Sequence, residues 1–183
     1  MKRVLAKHSC TVICAVVFAF GLVAQDKSAQ VRQAKESVWI LREDGIGPAK
    51  IGMTLALLKP MLSDKVSTPE DRDEEDCFYV TPKRHPKVAF MVEDGRLSRI
   101  DVDGSGISTE TGIAVGDLEV RVLRAYRHDL KVEPDAYTAP DGHYLTLHKP
   151  KSPYAIRFDT YKGRVEHIYA GRFESVQYIE GCE

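Results

Sequence analysis

Cysteine is scarce in this chain of 183 residues: there are four, and two of them, Cys10 and Cys14, fall inside the first 24 positions. Tryptophan occurs once, at Trp39. Neither sign of charge dominates, with 26 Lys and Arg against 27 Asp and Glu. Without a basic cluster the chain lacks the electrostatic footprint of a nucleic-acid binder. No Gly-x-Ser-x-Gly elbow is present, and Gly104-Ser105-Gly106 lacks the strand-turn-helix setting of an exposed nucleophile. No two histidines stand four apart with an intervening glutamate, the spacing of a helical zinc site. Asp101-Val102-Asp103-Gly104-Ser105-Gly106 opens like a calcium loop, but its twelfth position is Gly112 where a bidentate glutamate should close the cage. These absences leave no catalytic residue set, no metal site and no cofactor to expect.

The first segment has its own logic. Lys2, Arg3 and Lys7 precede an uncharged run from Ser9 to Gln25, the order of a secretory signal peptide, with cleavage expected after Ala24. The run is also near the lower length limit of a retained membrane anchor, the one route by which the chain would touch a membrane. Cleavage removes three of the 26 basic residues and none of the 27 acidic ones, taking the formal charge from −1 to −4. It leaves Cys77 and Cys182, and an even pair in an exported chain reads as a disulfide.

Residues 25–37 are a polar leader, and 38–183 are expected to form one domain. Val38-Trp39-Ile40-Leu41 has strand character. Leu55, Leu58, Met61 and Leu62 fall at helical spacing behind Thr54, disturbed by Pro60. Ser67 to Asp76 is too charged for anything but a loop. Cys77 to Val80 reads as a strand, followed by the basic, proline-bracketed 82–86. Val88, Phe90 and Val92 alternate up to Asp94-Gly95, a tight hairpin signal, and Leu97 to Val102 returns.

The second half echoes the first. Ile51-Gly52 and Val115-Gly116 each precede a helix-like stretch; in the second of these Leu118, Val122 and Ala125 share a face and Asp117 is placed to cap it. Tyr144 to Leu147, Tyr154 to Phe158, the turn Lys162-Gly163 and Val165 to Ala170 follow in the order of the earlier strands. The expected fold is therefore α+β: two helix-plus-three-strand repeats, about 45–107 and 108–171, forming one antiparallel sheet with the helices on one face. A C-terminal segment would be tied back by the disulfide. On the Ile51-Gly52-Met53-Thr54 and Val115-Gly116-Asp117 helix starts and the Asp94-Gly95-Arg96 and Lys162-Gly163-Arg164 hairpins, residues 45–170 resemble the tandem-repeat fold of the β-lactamase inhibitory protein and of small outer-membrane assembly lipoproteins. The chain is also similar to a family of small exported bacterial proteins ending in Glu-Gly-Cys, here Glu180-Gly181-Cys182. That resemblance implies a binder or scaffold, with no contact residue to carry across.

Seven of the eight tyrosines lie in the second half. With the helices on one sheet face, Arg99, Asp101, Tyr144, His167 and Tyr169 are expected on the other, as an amphipathic surface for a partner. The function expected is a non-catalytic binding or inhibitor-like module of the bacterial cell envelope, periplasmic or secreted, recognising an envelope or extracellular protein. A carbohydrate-binding module using the same tyrosines, and a small hydrolase using His143 or His167, are the alternatives.

Overall fold

The computed structural model describes residues 39–62, 66–67 and 77–182. The signal segment 1–24, the leader 25–37 and the charged stretch 68–76 lie outside the described residues. All that is described belongs to the unit Ser37–Glu183. Its elements are β1 (Ile40–Arg42), β2 (Gly45–Ile46), β3 (Ala49–Lys50), α1 (Leu55–Met61), β4 (Val66–Ser67), β5 (Phe78–Pro82), β6 (Val88–Glu93), β7 (Arg96–Val102), β8 (Ser108–Thr109), α2 (Glu119–Tyr126), β9 (Leu130–Pro134), β10 (Gly142–Leu147), β11 (Tyr154–Tyr161) and β12 (Arg164–Arg172).

The expected architecture is corrected at its root. The described residues are mostly β and form two sheets, not two helix-plus-three-strand repeats in one sheet. A small sheet runs β3-β2-β1-β8, with β1 and β8 parallel. The large antiparallel sheet runs β5-β6-β7-β12-β11-β10-β9, and the two-residue β4 adds to its β5 edge. Three physical reasons account for the error. Short paired segments around Gly45 and Gly47 build a separate sheet, because two or three residues between turns carry no periodicity to read. Leu130 to Pro134, which has only two apolar residues before its proline, forms a fourth strand after α2. The two described α-helices are only seven and eight residues long; Pro60 sits inside α1, and α2 is capped by Leu118 without a side-chain bond. Asp117 accepts from the Ala114 amide and from Arg121 instead.

What does recur is a junction. Gly52 and Gly116 both have positive φ (+89° and +92°), where a side chain is strained. The Gly52 amide donates to Leu97 O at 2.7 Å and the Gly116 amide to Val165 O at 2.8 Å. Arg96 Nη1 returns to Gly52 O, and Arg164 Nη1 to Gly116 O, each at 3.0 Å. The two hairpins are also alike: Asp94-Gly95 and Lys162-Gly163 all have positive φ, the geometry of a two-residue turn whose twist suits the flanking strands.

One face of the large sheet is dry. Val80, Phe90, Ile100, Val102, Leu145, Phe158 and Ile168 are fully buried with Leu58, Val122 and Leu41 from α1, α2 and the small sheet. Trp39 joins the edge of this core, stacked on His85 with ring centres 3.9 Å apart. The period-2 geometry of the strands then puts the alternate residues on the opposite face, where the candidate site lies.

Candidate functional site: the polar face of the large sheet

Strand pairing arranges the second face in rows. Asp101, Tyr169, Arg157 and Thr146 follow one another across β7, β12, β11 and β10. His167, Asp159 and Tyr144 form the next row. All five expected residues therefore share this face.

Three of them, Arg99, Asp101 and Tyr144, scarcely reach solvent, which corrects the expectation of a wet patch. Arg99 is 2% exposed and Asp101 is 7% exposed. The chain after β12 turns back across them through a 3-10 turn, Ser175–Gln177, and is fixed by the Cys77–Cys182 disulfide. Arg99 Nε and Nη2 donate to the two Asp101 carboxylate oxygens at 2.7 and 2.9 Å. Its Nη2 also donates to the Tyr79 hydroxyl, and Nη1 to the carbonyls of Ser175 and Tyr178 at 2.9 and 2.8 Å. Arg157, buried as well, donates to the Gln177 carbonyl and side-chain oxygen. Gly181 has φ +77° and lies on Tyr79, where a β-carbon would run into the phenol oxygen. The Glu-Gly-Cys ending is thus a clasp: glycine for the close approach, cysteine for the bond. Burial pulls the Arg99 guanidinium toward neutrality, but the Asp101 carboxylate more than offsets it and the arginine stays charged.

Beyond the clasp the face opens into a cleft of about 420 Å³. Tyr144 and Tyr169 contribute to its wall, along with Tyr137, Tyr161 and Ile179, while Asp135, Asp159, Glu166 and His167 supply its polar groups. Asp135 sits in the turn after β9 and accepts the amides of Tyr137 and Thr138 at 2.7 Å each. Burial works to raise its carboxyl, but the bonds from Tyr144, Thr138 and Asp159 prevail and hold it below the usual range. Asp159 faces it; burial first, then the Asp135 charge, pushes its carboxyl up to about 6. His167 Nδ1 bonds Asp103 at 2.8 Å, and chiefly for that reason its imidazole titrates above the ordinary value.

These shifts predict a pH dependence. A group whose folded pKa is raised stabilises the fold while it is protonated, so the Asp159 contribution is complete below its unfolded value of 3.8 and is lost as pH rises through about 6. His167 acts with the same sign at higher pH, above its unfolded value of 6.5. Melting temperature should fall between pH 4 and pH 6 in the native chain and much less in Asp159→Asn, a difference on the order of 1 kcal/mol after allowance for partial exposure. Parallel curves for the two proteins would show that the proton is not held there.

His143 Nδ1 lies 3.2 Å from Glu119 Oε2, near the start of α2, and His148 stacks on Phe173. Among the described residues, neither His143 nor His167 is hydrogen-bonded to a hydroxyl or thiol nucleophile. Nor, among them, do three or more His, Cys, Asp or Glu side chains converge to hold a metal ion. No family model, curated protein or solved structure matches this chain.

Sequence reasoning missed Asp135, Asp159, Tyr137 and Tyr161. Asp159 was legible in principle, two positions from Arg157 on the same strand face. Asp135 and Tyr137 were not, since a turn brings them in. Among the described residues no helix is long and apolar enough to cross a membrane, and the disulfide fits an exported protein.

Proposed function

We propose that the chain is a non-catalytic, inhibitor-like binding module of the bacterial cell envelope, working in the periplasm or outside the cell, and that the cleft end of the polar sheet face recognises a protein partner. One observation carries this reading: three large apolar or aromatic side chains, Tyr137, Tyr161 and Ile179, stand exposed around an acidic depression, with Tyr178 exposed in the adjoining pocket. Tyr137 is 68% exposed, and Tyr161, Tyr178 and Ile179 are 37 to 45% exposed. Rigid aromatic side chains beside a desolvated polar centre are the usual anchors of protein interfaces. The clasp supports the same reading, because it fixes Tyr178 and Ile179 through backbone bonds and a covalent link.

The test is capture from envelope extract with the oxidised chain and with Tyr137→Ala/Tyr161→Ala. A specific protein retained by the native chain should fall about tenfold or more in the variant, as for loss of two interface anchors. Equal capture by both proteins would move the binding surface elsewhere. Tyrosine rings beside carboxylates also suit a sugar, so retention of glycan without protein would favour the carbohydrate-binding alternative.

A further inference from the structure

The polar face already contains two internal examples of one recognition unit. Arg99 lies over the Tyr169 ring, 4.7 Å from its centre, with Asp101 at its edge. Arg157 lies over Tyr144 at 4.8 Å. Each places a guanidinium on the electron-rich face of a phenol, with hydrogen-bond acceptors around its rim.

The cleft is a third such unit without its arginine. Its carboxyl pair, Asp135 and Asp159, and its exposed ring, Tyr161, are in place. Among the described residues neither carboxyl closes a salt bridge with a basic side chain. His167 is engaged by Asp103, and Arg157 by Gln177. The Lys162 ammonium, exposed in the hairpin turn, rests 4.9 Å from the Tyr161 centre, so that ring already attracts a cation, and an arriving guanidinium would displace the lysine from it. A metal ion is a poor fit, because the side chains do not converge as a coordination shell. A planar organic cation needs no such shell and uses ring and carboxylates together.

Resting on the binding-module reading above, we propose that the cleft receives an arginine side chain of the protein partner, its guanidinium seated on the Asp135–Asp159 pair and stacked on Tyr161. The three acidic groups that line the cleft, Asp135, Asp159 and Glu166, give the complementary charge. Tyr137 and Ile179 on the rim cover the aliphatic stem.

The experiment titrates the oxidised chain with N-acetyl-arginine methylamide and with its neutral citrulline counterpart, followed by chemical-shift changes of the cleft tyrosines. The arginine probe should bind about tenfold or more tightly than citrulline, the value of one charge-assisted bond. Asp159→Asn should erase that preference while its circular dichroism stays native. Equal affinities, or no saturable shift with either probe, would overturn the arginine seat even if the variant failed to fold, since that comparison is made on the native chain. If partner capture still depended on Tyr137 and Tyr161, the binding module would stand and only its anchor would be lost. Failure of both would remove the module reading as well.

Discussion

Replacing Arg99 by methionine should destabilise the protein by roughly 3–5 kcal/mol, the cost of breaking a buried ion pair by removing one partner. All five guanidinium donors are used: two on Asp101, one on Tyr79 and two on the carbonyls of the returning segment. Methionine keeps most of the packed stem. It leaves Asp101 charged or newly protonated in a site 7% exposed, and strands two carbonyls. Urea denaturation measures the loss. The double variant Arg99→Met/Asp101→Leu should recover a substantial part of it, because no isolated charge then remains. A loss below about 1 kcal/mol would mean that water reaches Asp101 and that the clasp needs no arginine.

Removing the disulfide with Cys77→Ser/Cys182→Ser should cost on the order of 4 kcal/mol, since the bond closes a loop with a sequence separation of 105. For a chain of this size that is a fall in melting temperature of about 10 °C. The loss has a local component. Amide exchange should accelerate at 178–182, where Gly181 is held on Tyr79, before it changes in β6, β7, β11 or β12. Since Arg99 and the disulfide hold the same segment, their effects should not add: with the segment already released, Arg99→Met loses less. Unchanged melting and exchange in the cysteine variant would show that the arginine bonds alone keep the segment down.

Much of the large sheet was legible. Alternation in Val88 to Val92 and in Leu97 to Val102 marked strands and their faces. Asp94-Gly95 and Lys162-Gly163 marked hairpin turns. Those signals are local, because a strand's period and a turn's φ are set by neighbouring residues. Of the small sheet only β1 was legible, from Val38 to Leu41; its other strands and β9 were not, for they are short and owe their form to pairing partners far away in sequence, such as Ser108 with Ile40. The same limit applied to the helices, where an apolar spacing in 54–62 could not say how far Pro60 would cut it.

The site divides along the same line. Sequence by itself pointed to the Cys77–Cys182 pair, the crowding of tyrosines into the second half, and the placing of Arg99, Asp101, Tyr144, His167 and Tyr169 on one sheet face. Only the tertiary structure decided which of those residues are buried. Whether a polar residue on a strand faces water depends on what crosses above it, and here that is a C-terminal segment some 76 to 79 positions away from Arg99. Likewise only the fold brought the turn residue Asp135 against Asp159, because carboxyl pairs of this kind are made by strand order and turn geometry, which no local pattern records.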